Sequence, residues 1–133
     1  YGYAQVSKKG EIFFFISSGK KLFGGNYTAI SRMGNFFVVR KYDKITLLTP
    51  SLSFLNSIFY EEIHGFSDGF AAVKRDGLWG YIDGRGNTIS ECIFESAGDF
   101  ENGKAAIVYR GYTGYIYPSG RFEYFTPADY IRR

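Results

Sequence analysis

His64 and Cys92 are the only histidine and the only cysteine in 133 residues, and that scarcity settles most of the chemistry on offer. A zinc site draws its nitrogen and sulfur ligands from several such residues, and one of each cannot build it. No intrachain disulfide can form. A Cys92–His64 nucleophile pair needs the fold to bring the two together, and nothing in their spacing asks for that. Cys92, in "ECIF", reads instead as a small buried residue on a strand. The stretch "DGRGN" (Asp83–Asn87) spaces oxygen donors as calcium loops do, but it lacks a third acidic ligand and a closing glutamate. A tight turn needs the same residues. Glu61 and Glu62 are adjacent, so on a strand they face opposite sides and make a poor acid–base pair. These residues predict neither an enzyme nor a cofactor.

Aromatic and arginine side chains remain. Twelve tyrosines, fourteen phenylalanines and one tryptophan bring the aromatic share to 20%. The run "VYRGYTGYIY" (Val108–Tyr117) could stack unpaired bases between Arg110 and its tyrosines. Charge argues against that reading. Residues 1–60 hold eight Lys/Arg against two Asp/Glu, a net +6, whereas residues 61–133 hold eight against eleven, a net −3. An acidic half is a poor host for phosphates, so nucleic acid is disfavoured. The split itself suits a solvated surface, an anionic partner for the first half, or complementarity between copies. "NYT" at Asn26–Thr28 matches a glycosylation acceptor, which matters only in a secreted eukaryotic protein. The pairs Lys8-Lys9 and Lys20-Lys21 fall where turns are expected and read as solvent-facing.

The elements that hold these side chains are short. High aromatic content with 17 glycines and only three prolines points to β structure with many tight turns. No apolar run approaches the roughly 20 residues of a membrane helix. The chain opens at Tyr1 rather than methionine with nothing resembling a signal peptide, so a processed protein or a part of a longer one is expected. An internal repeat organises the rest. Shifting by 34 places Phe66, Gly69, Ala71, Ala72, Gly77, Gly80, Tyr81, Ile82 and Gly86 on Phe100, Gly103, Ala105, Ala106, Gly111, Gly114, Tyr115, Ile116 and Gly120. So many gapless identities mark a tandem array. Fainter copies fit earlier: Gly2, Ala4, Val6, Gly10 and Gly19 align with Gly69, Ala71, Val73, Gly77 and Gly86, and Asn35–Leu52 fits between with Asp43 on Gly77. One array of four units over residues 1–133, starting near Gly2, Asn35, Gly69 and Gly103, is predicted.

Within a unit, Phe70–Lys74 meets "RDG", Leu78–Asp83 meets "GRGN", and Ile89–Glu95 forms a third run whose earlier counterpart is Leu55–Glu61. Asp-Gly between β-prone runs is a strong hairpin signal. Three runs in this period leave no room for a helix, so the fold class is all-β, with four three-stranded units as a solenoid or stacked small sheets; a closed propeller-like array is the alternative. Equivalent positions predict the core. Val6, Val39, Val73 and Ile107 form one apolar column, and Phe15, Leu48, Ile82 and Ile116 another. A third column, Phe14, Leu47, Tyr81 and Tyr115, gains hydroxyls, which predicts tips in solvent. Gly80 and Gly114, mid-strand, predict a neighbour's side chain packed over each.

"FSDGFAAVKRDGLWGYIDGRGN" (Phe66–Asn87) resembles the WG-repeat family, with Phe66, Gly69, Ala71 or Ala72, Val73, Gly77, Trp79, Gly80, Tyr81, Ile82, Asp83 and Gly86 filling its pattern. The next unit keeps Phe100, Gly103, Gly114, Tyr115, Ile116 and Gly120 but has Thr113 at the tryptophan position and Tyr117 at the aspartate; Ile12 and Ile45 stand for tryptophan earlier. The resemblance implies a β-repeat scaffold, common in bacterial proteins, with binding or structural roles and no catalytic residue. A weaker similarity, to aromatic repeats of cell-wall choline-binding proteins, fails on the single tryptophan and the longer period. The expected function is therefore a non-enzymatic module, part of a longer protein, that binds a protein partner; carbohydrate or a small ligand is the alternative partner, and a plain spacer the third reading. The expected site is the strip Trp79, Tyr81, Tyr115 and Tyr117 with Arg75 and Arg110 at the first turns, residue types enriched at binding hot spots. Trp79 alone could equally staple one unit to the next.

Overall fold

The computed structural model describes the backbone of residues 3–8, 11–16, 21–51 and 53–126, and the side chains of residues 29, 31–51 and 53–126. Gly2, Lys9, Gly10, Gly19, Lys20 and the tail from Pro127 lie outside the described residues, as do the side chains of Val6, Phe14, Phe15 and Asn26–Thr28. Thirteen strands and no helix are found among the described residues, so these offer no helix long and apolar enough to cross a membrane. All strand pairs are antiparallel, as short runs joined by two-residue turns require. The chain divides into two compact units, residues 1–59 and 60–133.

The first unit holds one five-stranded sheet in chain order: β1 (Tyr3–Lys8), β2 (Glu11–Ile16), β3 (Lys21–Met33), β4 (Phe36–Lys41) and β5 (Lys44–Leu48). The two faint repeats therefore do not form separate three-stranded sheets. The long β3, carrying the Asn26–Thr28 stretch, pairs with both β2 and β4 and merges them. The expected third run over Leu55–Glu61 is not a strand. Pro50, one residue beyond Thr49, cannot donate to a ladder, and the chain folds back through the Leu48↔Phe54 bridge. Thr46, the one buried polar residue described, donates its hydroxyl to the Ile58 carbonyl at 2.7 Å, as a buried hydroxyl must.

The second unit holds two four-stranded sheets: β6 (Glu62–Ile63), β7 (Phe70–Arg75), β8 (Leu78–Asp83) and β9 (Thr88–Phe94); then β10 (Ser96–Ala97), β11 (Ala105–Tyr109), β12 (Tyr112–Ile116) and β13 (Phe122–Tyr124). Each sheet is one strand richer than the predicted three, because a short lead strand, β6 or β10, follows the third run of the repeat before and pairs forward. Only Glu95 separates β9 from β10. The hydrogen bonds repeat at 34 residues: Glu61 N–H donates to the Lys74 carbonyl and Glu95 N–H to that of Val108, while His64 N–H reaches Ala72 and Gly98 N–H reaches Ala106. Four two-residue turns, Asp68-Gly69, Asp76-Gly77, Asn102-Gly103 and Arg110-Gly111, have positive φ at both positions, the requirement of the type I′ hairpin whose twist matches the strands. At Tyr42-Asp43 only Tyr42 is positive, so Asp43 does not reproduce Gly77.

The two apolar columns are buried wherever side chains are described: Val39, Val73 and Ile107, and Leu48, Ile82 and Ile116. The third column departs from expectation, since Leu47 and Tyr81 are buried as fully. For Tyr81 the reason is stacking. The sheet β6–β9 lays the face carrying Ala72 and Tyr81 onto the facing side of β10–β13, so Ala72, Tyr81, Phe94, Phe100, Ala105, Ile107 and Ile116 form one cluster. Both faces of β8 are covered, and the hydroxyl is accommodated by a bond rather than by water.

Candidate binding surface

Trp79 and Tyr81 stand two apart on β8 and so share a face. Tyr81 was expected to present its tip to solvent; instead its hydroxyl donates to the Gly98 carbonyl at 2.7 Å and its ring meets Phe100 edge-on at 5.2 Å. Burial, then the negative charge of Asp99, pushes its phenol far above the usual value. A protonated hydroxyl bonded inside the core cannot contact a partner. Trp79 is half-buried and packs at the edge of the same cluster. Its indole lies 4.5 Å from the His64 imidazole, tilted 42°, and the Lys74 ammonium reaches 5.7 Å from the ring. Glu62 pairs with Lys74 at 3.7 Å, and Asp99 lies 3.9 Å from His64 Nδ1.

In the fourth unit the corresponding face of β11 and β12 leaves Ala106 and Thr113 exposed. Tyr115 is half-buried, with the Lys104 ammonium 4.2 Å above its ring and Phe125 edge-on at 6.5 Å. A recess of about 370 Å³ lies beside it, lined among others by Gly98, Ala106, Val108 and Thr113. Tyr117 is engaged in its own turn, donating to Glu123 Oε1 at 2.6 Å beneath the Arg121 guanidinium, 4.8 Å away. That bond to a carboxylate, ahead of desolvation, raises its phenol. The six expected residues are thus not one strip. Trp79 and Tyr115 lie on equivalent faces of successive sheets, Tyr81 is core, and Arg75 is exposed in a shallow depression with Asp76, Glu91 and Cys92.

Arg110 belongs to a different group. Its guanidinium lies 5.2 Å from the Tyr109 ring; Tyr109 meets Tyr124 at 5.1 Å, and Tyr112 stacks on Tyr124 at 6.0 Å and 21°. Tyr124, 39% exposed, crowns this cluster. Its three tyrosines share one face because Tyr109 pairs with Tyr112 and Tyr124 pairs with Gly114, two residues on. The signal was present in "YRGY" around a two-residue turn. Tyr124 joins Tyr109 and Tyr112 only through its pairing with Gly114, which no local sequence pattern specifies.

Other candidates are absorbed by structure. Asp83 Oδ1 accepts the N–H groups of Arg85 and Asn87, and Oδ2 accepts from Asn87 Nδ2. Against an upward push from desolvation, these bonds and the Arg85 charge hold its carboxyl below the usual value. Cys92 is half-buried rather than fully buried; its thiol makes a weak 3.6 Å bond to the Val73 carbonyl, and desolvation raises it despite nearby Arg75. Glu61 and Glu95 close turns, each Oε1 accepting from a glycine N–H, Gly77 at 3.2 Å and Gly111 at 2.6 Å. Among the described residues no group of three or more His, Cys, Asp or Glu is gathered as a metal site would need.

Comparison with known proteins gives a partial family match and distant structural likenesses. No curated protein matches the chain in sequence. Hsv2 of Kluyveromyces lactis with complete loop 6CD is similar at 12% identity and a TM-score of 0.48, over 93% of this chain and 46% of that one. The N-terminal domain of Nup159 is similar at 8% identity and 0.45, over 94% of this chain and 41% of that one. The chain therefore spans less than half the length of these structures. The model of the WG-containing repeat matches residues 60–79 and 79–112, the stretch in which bonds, turns and columns recur at 34 residues. Residues 60–112 are thus similar to WG-containing repeats.

Proposed function

We propose that the chain is a non-enzymatic binding module that engages a protein partner through the outward face of β10–β13. One observation carries this reading. In the third unit that face is packed over, with Ala72 2% and Tyr81 0% exposed; in the fourth, Ala106 is exposed and Tyr115 half-buried. A face whose twin is a packed interface offers apolar area and an aromatic side chain ready for burial, at about 25 cal/mol per Å² of apolar surface removed from water. Tyrosine is among the residue types that dominate binding energy. The catalytic alternative finds little support, since the carboxylates of Asp83, Glu61 and Glu95 serve turns and a raised thiol such as Cys92 is a weak nucleophile.

A photo-crosslinking residue at Ala106 should yield a protein adduct that one at Arg85, on the exposed β8–β9 turn, does not. Equal adducts from both positions would overturn the reading. A second reading has its own observation: the stacked Tyr112–Tyr124 pair, Tyr124 exposed and Tyr112 half-buried, could receive the apolar face of a sugar ring. A glycan that loses binding on Tyr124→Ala, and keeps it with a blocked Ala106 face, would favour carbohydrate.

A further inference from the structure

The recess in the fourth unit has a counterpart whose contents are visible in the same molecule. Subtracting 34 from Gly98, Ala106, Val108, Thr113 and Tyr115 gives His64, Ala72, Lys74, Trp79 and Tyr81. The backbone frame is unchanged, for His64 N–H donates to the Ala72 carbonyl at 2.9 Å and Gly98 N–H to that of Ala106 at 2.8 Å. The strand pairing agrees too, Lys74 with Trp79 and Val108 with Thr113. What differs is side-chain bulk. In the third unit an indole and an imidazole lie against each other on this frame; in the fourth, threonine and glycine replace them. The about 370 Å³ that opens beside Thr113 is at the small end of ligand pockets, which run from about 300 to 1,000 Å³.

We infer that this recess receives a tryptophan side chain from a protein partner, which restores in trans the ring that Trp79 supplies in cis. The inference rests on the binding reading above and names its anchor. The walls suit a flat ring. Tyr115 and Phe125 present aromatic surfaces at 71° to one another, so a third ring can meet one face-on and the other edge-on, the two arrangements aromatic pairs prefer. The Lys104 ammonium on the Tyr115 ring adds a cation at the aromatic wall, as Lys74 does for Trp79. The surrounding half of the chain is net acidic, with eight Lys/Arg against eleven Asp/Glu over residues 61–133, which favours basic residues flanking the tryptophan.

The test titrates the full chain with the capped peptide Lys-Gly-Trp-Gly-Lys and follows the backbone amides of Gly98, Ala106, Thr113 and Gly114 by NMR. Those amides should shift, and binding should weaken at least tenfold when the peptide tryptophan becomes alanine. Thr113→Trp fills the recess from within and should weaken the tryptophan peptide at least tenfold, whereas Arg85→Ala should not. If Thr113→Trp fails to fold, Gly98→His serves instead; a Cβ there meets the Ala106 carbonyl oxygen at 3.4 Å, an ordinary contact. Equal binding of the alanine peptide, or shifts elsewhere only, would overturn the inference. So would N-acetyltryptophanamide binding as tightly as the peptide, since the recess would then take a free aromatic ligand. The binding reading fails separately, through equal crosslinking at Ala106 and Arg85.

Discussion

Gly80 and Tyr81 are neighbours on β8, and each answers differently to a change of a few atoms. A Cβ at Gly80 would meet the Ser90 carbonyl oxygen at 2.5 Å and that of Glu91 at 2.7 Å. The sequence suggested a side chain packed over this glycine; the obstacle is the backbone of β9, which bulges where the register shifts between Trp79↔Phe94 and Tyr81↔Ser90. Backbone yields less readily than a side chain, so even Gly80→Ala should cost on the order of 1–3 kcal/mol, read as a lowered denaturation midpoint. An unchanged midpoint would contradict the close approach. Tyr81→Phe keeps the ring and deletes the donor to Gly98. It should cost about 1–3 kcal/mol, the range for stranding a buried polar group, in chemical denaturation.

At the level of the turn, one backbone is held by two chemistries. Asp83 N–H bonds the Asn87 carbonyl and Tyr117 N–H bonds that of Arg121, each with a glycine N–H returning to the first residue. The third unit locks this turn with the Asp83 carboxylate; the fourth uses Tyr117 against Glu123. Because the fold holds the Asp83 carboxyl below its usual value, its stabilisation is complete above the unfolded value of about 3.9 and fades as pH falls through the folded one. The gap in melting temperature between wild type and Asp83→Asn should therefore close in acid and be full at neutral pH. A gap independent of pH would show that the charge is irrelevant. The turns themselves were legible, since Asp-Gly specifies positive φ locally. What the third run does after its turn was not legible. Whether Glu95 ends a strand or passes it to the next sheet depends on partners far along the chain.

The second compact unit, residues 60–133, behaves as more than a sum of repeats. Phe100 is 1% exposed, lies 4.5 Å from Phe70 and 5.2 Å from Tyr81, and its carbonyl accepts the Ser67 hydroxyl at 2.7 Å. It thus joins the third repeat to the fourth. Phe100→Ala should cost about 3–5 kcal/mol, and hydrogen exchange should rise together in β7–β8 and β11–β12. Loss confined to one pair would mean the sheets are stable independently. Both apolar columns could be read from the period alone, because apolar residues at every copy have only one explanation. The buried third column could not: the hydroxyls of Tyr81 and Tyr115 are alike in sequence, and only stacking separates a core tyrosine from a surface one. For the same reason Trp79 and Thr113 looked like gain and loss of one motif residue, not like a filled and an open form of one recess.

The single residue between β9 and β10 bears on how such a chain can lengthen. Since each sheet of the second compact unit takes its first strand from the repeat before, a gene duplication need not begin at a structural border. Copying one whole period of the third repeat, from any starting point, returns every strand to a partner of its own kind. A copy one residue longer or shorter would turn the next strand over, sending core residues to the opposite face. Between the third and fourth repeats the period of 34 is therefore tied to the pleat, while the positions of Trp79 and Thr113 differ without disturbing the pairing.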